Sequence, residues 1–81
     1  MKSFHLTIAR VGENLYDGEA VSVAAPGKKG MFQILADHEA FVSELASGEV
    51  RVKAADATTS TFAIPHSGVI EVSHNQVTVL L

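Results

Sequence analysis

Four histidines, a glycine-flanked lysine pair and three serines near turns are the residues whose types could carry chemistry. His5, His38, His66 and His74 could each ligate a metal through a neutral imidazole. None stands in an H-E-x-x-H or C-x-x-C frame, and the chain has no cysteine. Their spacing gives no metal centre, and surface or corner histidines need no ligand role. Gly27-Lys28-Lys29-Gly30 has the composition of a phosphate-cradling loop. A P-loop needs G-x-x-x-x-G-K-[ST] opening into a helix, and neither that spacing nor a helical pattern follows here. The plainer reading is a basic hairpin loop able to meet acidic or polar groups on a partner. Ser43, Ser67 and Ser73 have no G-x-S-x-G around them. Glu13 with Asp17, and Glu39 with Glu44, read as solvated charge, because spacing alone does not bring two carboxylates to general acid/base distance. The expectation is a chain with no catalytic residue, no cofactor and no metal.

The elements that must position these residues are strands. Phe4, Leu6 and Ile8 alternate with His5, Thr7 and Ala9, which predicts a strand with one buried face. Val11 to Asn14 reads as a turn, and Leu15 to Gly18 as a second short piece. Glu19 to Ala24 alternates again, with Val21 and Val23 on one side, and Pro26-Gly27 ends it. Met31 to Leu35 reads as the central strand. It runs into a polar corner, Ala36-Asp37-His38-Glu39, and then into a strand from Phe41 to Leu45. Ser47-Gly48 turns the chain. Val50 and Val52 alternate with Arg51 and Lys53, the clearest half-buried strand. Asp56-Ala57-Thr58 forms a hairpin loop before Ser60 to Ile64. Pro65 to Gly68 marks a bend or bulge. Val69 to Val72 and Val77 to Leu81 then form a hairpin through His74-Asn75-Gln76. No stretch shows helical apolar spacing with a cap. The fold class is all-β: a flattened sandwich of two mostly antiparallel sheets with about eight to ten short strands.

Composition narrows the functions. The chain has 81 residues and reads as a single domain over 1–81, with a modest core. At 47% hydrophobic and 19% charged it is globular rather than disordered. A net charge of -3 argues against a nucleic-acid binder, which carries a basic footprint. The N-terminus has no apolar run of the signal-peptide kind, and no stretch approaches the ~18 apolar residues of a membrane span. Any membrane link is expected to pass through a protein partner, without direct bilayer insertion. Tyr16, Phe41 and Met31 are either core or, if exposed together, an interface.

Several segments resemble the epsilon subunit of F-type ATP synthases. Gly30 to Val42 follows that family's G-x-(hydrophobic)-G-I-L-x-G-H-x-x-(hydrophobic) segment. Phe62 to Val72 is similar to F-x-(V/I)-x-x-G-G-(F/V)-(L/I)-E-V, and Asn75 to Leu80 to N-x-V-T-V-L. Leu6-Thr7-Ile8 and Tyr16 to Ala20, with Val21 and Val23, resemble the opening strands. The match runs in register along essentially the whole chain. It departs where the family's Pro-Gly-His corner is Ala36-Asp37-His38, where its Gly-Gly is Ser67-Gly68, and where His38-Glu39-Ala40-Phe41 stands for His-Ala-Pro-(hydrophobic). Most members continue into a C-terminal helical hairpin linked to inhibition of ATP hydrolysis. This sequence stops at Leu81, where the hairpin would begin, so a short form without that regulation is expected.

The resemblance implies the family's N-terminal β-sandwich domain, acting as a non-catalytic subunit of the central stalk. Its partners would be the gamma subunit and the c-ring, and its work the coupling of proton-driven ring rotation to ATP synthesis elsewhere. Carried over by position, Arg10, His38, Phe41 and Val42 form the gamma-facing set. Lys28, Lys29, Gly30, Met31 and Phe32 form the set facing the c-ring. The implied location is the cytoplasmic face of the cell's inner membrane, or its organellar equivalent, as a peripheral protein. A small barrel or sandwich module binding a ligand or nucleic acid is the alternative, and a hydrolase a third.

Overall fold

A computed structural model describes residues 2–81. It contains six strands: β1 (Phe4–Arg10), β2 (Glu13–Gly27), β3 (Gly30–Leu35), β4 (Phe41–Ala54), β5 (Thr59–Ser73) and β6 (Gln76–Leu80). No helix occurs among the described residues. The order β1-β6-β5-β4-β2-β3, with β1 also paired to β2, closes five strands into a ring and leaves β3 hanging from β2. Extents of 32 × 24 × 19 Å make this a flattened, two-layered sandwich. All pairings are antiparallel except β1 with β6.

The strand count is a correction: six, not eight to ten. The residues expected to end strands instead bend them. Leu45 faces Gly68, Ala46 faces Ser67, and Gly48 then faces Ile64, so Pro65 and His66 together oppose Ser47. That is a β-bulge, and it turns both strands without ending either. Leu15 to Gly18, expected as a separate piece, is continuous with Glu19 to Gly27 in β2. A second irregularity falls between Ala20 and Ser22, where Val21 is the extra residue against β4. It breaks the alternation, so that Ala20 joins Val23 and Ala25 in the core cluster. The position of β3 is a second correction. It lies at the edge of the sheet rather than its centre, and only Ile34 along it is fully buried.

Other expectations hold. Phe4, Leu6 and Ile8 are buried, as are Val50 and Val52 with Arg51 and Lys53 outside. The β5–β6 hairpin pairs Val72 with Val77 and Ser73 with Gln76. Its two turn residues, His74 and Asn75, have φ of 50° and 59°. Two consecutive positive φ values are the mark of a type I′ turn, whose twist matches that of the strands it joins.

The core is aliphatic apart from Phe4, and no polar or charged side chain is buried among the described residues. Gly68 shows how tightly neighbouring strands meet. A Cβ there would lie 2.6 Å from the Leu80 carbonyl oxygen and 3.2 Å from the Leu81 side chain. The backbone of β5 can approach β6 this closely only without a side chain. At Gly18 an added Cβ would make ordinary contact with the Tyr16 ring at 3.8–3.9 Å.

Gly68→Ala is expected to destabilise the domain by about 1–3 kcal/mol, the range for overpacking. Gly18→Ala is expected to be neutral or to stabilise by up to about 1 kcal/mol, by restricting the unfolded chain. Urea denaturation of the two variants checks the contrast.

Candidate functional site

The β2–β3 hairpin and the start of β4 build the main surface depression. Gly27 pairs with Gly30, closing a turn whose tip is Lys28-Lys29. The unusual backbone falls on Gly30, with φ of 132°, a region few side-chain-bearing residues enter. Gly27 is needed for a different reason: a Cβ would press to 2.9 Å from the Phe32 ring. The turn thus lifts both lysines into solvent and folds Phe32 back beneath them.

Phe32 meets Phe41 edge to face, with ring centres 5.4 Å apart, and Phe41 meets His38 at 5.7 Å. This aromatic run is half-buried and packs on the core. Above it lies an open groove of about 570 Å³ whose lining includes Lys28, Lys29, Met31, Phe32, Phe41 and Val42. Met31 and Val42 are 67% and 66% exposed, values unusual for apolar residues on well-formed strands. Glu44 closes one end by pairing with Lys28, Nζ to Oε2 at 3.1 Å.

The corner after β3 is pinned. Asp37 takes φ of 65°, a conformation Asp tolerates better than most residues. Its backbone N–H donates to Asn75 Oδ1 at 2.6 Å, and Asn75 Nδ2 donates back to Asp37 Oδ1 at 2.9 Å. Lys2 Nζ donates to Asp37 Oδ2 at 2.7 Å. His38 Nδ1–H donates to the Glu39 carbonyl at 2.8 Å, which fixes its ring against Phe41.

The sequence sorted site residues into two sets, and the structure groups them differently. Phe41 and Val42, from the expected gamma-facing set, line the same groove as all five residues of the expected c-ring set. His38 adjoins them through Phe41. Arg10 stands apart. It ends β1, five residues beyond His5, whose N–H bonds Asn75 beside the corner, so roughly 17 Å of strand separates them. Its guanidinium pairs with Glu13 at 3.0 Å. Sequence reasoning missed Glu44 as a partner of Lys28 and Asn75 as the anchor of Asp37. Glu44 had entered only as half of a carboxylate pair with Glu39. The signal for Asn75 was indirect: Asp37 stands where the resembling motif has glycine, which marks a positive φ in need of support.

His38 and His74 line one open hollow at the corner and His5 and His66 lie outside it, and no group of three or more metal-binding side chains forms among the described residues. His5 bridges two carboxylates, Nε2 to Asp17 at 2.5 Å and Nδ1 to Glu19 at 3.3 Å.

A family model described as ATP synthase, Delta/Epsilon chain, beta-sandwich domain, matches residues 3–81. The chain belongs to this family. An ATP synthase epsilon chain from Chlorobaculum tepidum is 39% identical over 79 residues, covering 98% of this chain and 89% of that one. One from Chlorobium limicola is 38% identical with the same coverage. One from Thioalkalivibrio sulfidiphilus is 37% identical over 96% of this chain, which spans only 55% of its length. A chain in the cryo-EM structure of the Euglena gracilis mitochondrial ATP synthase superposes with a TM-score of 0.89 at 22% identity, over 96% of this chain and 49% of that one. The sandwich of the delta/epsilon family thus runs through the chain, and it is a non-catalytic subunit fold of the ATP synthase. Within it Asp37 holds a left-handed corner supported by its bond to Asn75.

Hydrogen bonding to Asp17, opposed by desolvation and helped by Glu19, holds the His5 imidazole above its ordinary value. The folded state therefore favours protonated His5. That stability is fully present below about pH 6.5 and is lost as pH rises through the elevated folded value. Asp37 has the opposite sign: Lys2 and then Asn75 hold its carboxyl below the usual range, so its contribution is lost as pH falls through the depressed folded value. The urea midpoint is expected to drop across the neutral range in the native sequence, and to drop less in His5→Gln. Equal slopes for the two proteins would refute the His5 assignment.

Proposed function

We propose that this domain is a rotor element of an F-type ATP synthase, binding the gamma subunit and the c-ring in the central stalk. It passes the rotation of the proton-driven ring to the shaft, while ATP is made on other chains. It sits at the cytoplasmic face of the membrane as a peripheral component, held there by its protein partners. Membership of the epsilon family supports the reading. Among the described residues no helix is long and apolar enough to cross a bilayer, which accords with a link made through other subunits.

The single observation that carries the proposal is the groove at the β2–β3 hairpin. An exposed Met31 and an exposed Val42 lie over an aromatic run and beside two lysines, at the end of an edge strand. Apolar side chains held open on a rigid sheet have no role in the isolated domain and are suited to burial against another protein. The lysine tip is assigned to the c-ring. The side running from Val42 through Phe41 to His38 is assigned to the gamma subunit. Arg10, remote from the groove, serves gamma only if that subunit wraps to the far end of β1. Torque transfer needs a part that deforms little, which close packing and a ring of hydrogen-bonded strands provide.

The triple variant Lys28→Asp, Lys29→Asp, Met31→Asp is expected to keep the β circular-dichroism spectrum and to bind purified c-ring at least about tenfold more weakly, the scale of lost charged and apolar contacts at an interface centre. Undiminished ring binding by that variant would remove the c-ring assignment. A native chain that binds neither gamma nor ring would remove the stalk reading as a whole.

A further inference from the structure

The first part of β2 is held differently from the rest. From Ala20 the strand pairs with β4, and from Ser22 with β3 as well, whereas Glu13 to Gly18 pair with β1 alone. Even that ladder is interrupted, because Leu15 is skipped between the Ile8–Tyr16 and Ala9–Asn14 pairs. Arg10 to Asn14 are exposed. Besides the ladder, the arm is held by Leu15 and Tyr16 packed on the core, by the Arg10–Glu13 pair near its tip, and by one side-chain bridge.

That bridge is His5. Its Nε2 meets Asp17 within the arm at 2.5 Å, and its Nδ1 meets Glu19 at the base of the arm at 3.3 Å. The base is fixed: the Glu19 carbonyl accepts from the Ala55 N–H and the Tyr16 hydroxyl, and its carboxylate accepts from Ser3 Oγ. Asp17 has no other side-chain partner among the described residues. Carboxylates only accept, while a neutral imidazole has one N–H and one lone pair. Only the imidazolium can therefore donate to both; a neutral ring keeps one bond and turns its lone pair on the other carboxylate.

We propose that His5 is a protonation-operated latch on this arm: the imidazolium ties Asp17 to the fixed base, and deprotonation lets residues 13–18 open from β1 while the other strands stay paired. The surroundings leave the latch to these three groups. Gln76 stands opposite His5 on β6, and Lys2 is engaged by Asp37. His74 lies in the adjoining turn, next to the Asn75 carbonyl that takes the His5 N–H, and Glu71 of β5 is paired to Thr78, beyond β6. Hydrogen bonding to Asp17, partly offset by desolvation and reinforced by Glu19, raises the pKa of the ring, so the arm is closed below that folded value and released as pH rises through it. This is local opening of a weakly held segment, separate from global unfolding, and it does not rest on the stalk reading.

The test is amide hydrogen exchange of the full chain at pH 6 and pH 8, corrected for the intrinsic pH dependence of exchange and read by peptide mass spectrometry. In the native chain, protection across residues 13–18 is expected to fall about three- to tenfold between the two pH values, the scale of two exposed charge pairs, while Val50 to Ala54 stay unchanged. His5→Gln is expected to show low protection in the arm at both pH values. Asp17→Asn with Glu19→Gln, which removes the lone-pair conflict, is expected to lose the pH dependence. All three side chains are at least partly exposed, so the variants keep the fold. A native arm whose protection does not change, a fall shared equally by Val50 to Ala54, or the same fall in His5→Gln overturns the proposal.

Discussion

Strands β2 and β5 are 15 residues long and β4 is 14, in a molecule whose longest extent is 32 Å. At about 3.3 Å per residue a straight 15-residue strand would reach roughly 50 Å. These strands must bend, and each bend carries its strand from one layer into the other. The bulge of Pro65 and His66 against Ser47 does this for β4 and β5 together. Leu45 before the bend and Val50 and Val52 after it then enter one core with Ile64, Ile70 and Val72. One hydrogen-bonded sheet thereby makes both layers, and the parallel pairing of β1 with β6 completes the ring with the β1–β2 pair.

A core enclosed in this way has no space for polar groups, and none is buried among the described residues. What the ring does not use is β3, held through its pairing with β2 and through Ile34, and the corner that follows it. An edge strand exposing apolar side chains is an aggregation hazard unless something covers or stiffens it. Here the reciprocal Asp37–Asn75 bonds tie the corner to the β5–β6 turn, which belongs to a different part of the ring. These bonds fix the corner beside the groove to the ring of strands.

The sequence was legible wherever the evidence is local. Period-two alternation placed Phe4, Leu6, Ile8, Val50 and Val52 inside, and each is buried. The Asn75 hairpin and the Asp56 loop were legible from turn chemistry. What failed was the meaning of glycine and proline inside long strands. Ser47-Gly48 and Pro65-His66 contain the residue types that end strands, and here they bend them. Only the pairing of β4 with β5 decides between the two outcomes, and that is a non-local fact. The same limit explains the edge position of β3, whose apolar run, Met31 to Leu35, has the composition of a central strand. It also explains the site. Phe41 and Lys28 face one groove because the end of β2, which carries the hairpin, pairs with β4 at Gly27 and Leu45, and Asp37 and Asn75 bond although 38 residues apart.

The charge pattern acts on a scale shorter than the molecule. The Debye length at physiological ionic strength is about 8 Å, well below the 32 Å extent of the domain. A partner nearing the hairpin is therefore shielded from most of the acidic residues that make the chain negative overall. It senses the lysine tip, Arg51 and the carboxylates among them. The net charge of -3 bears on solubility and argues against a broad nucleic-acid footprint, while the few charges around Met31 are what an approaching surface meets at the hairpin. Lys28 and Glu44 already compensate each other at one end of the apolar groove, which leaves Lys29, in the same lining, to be paired by whatever covers it.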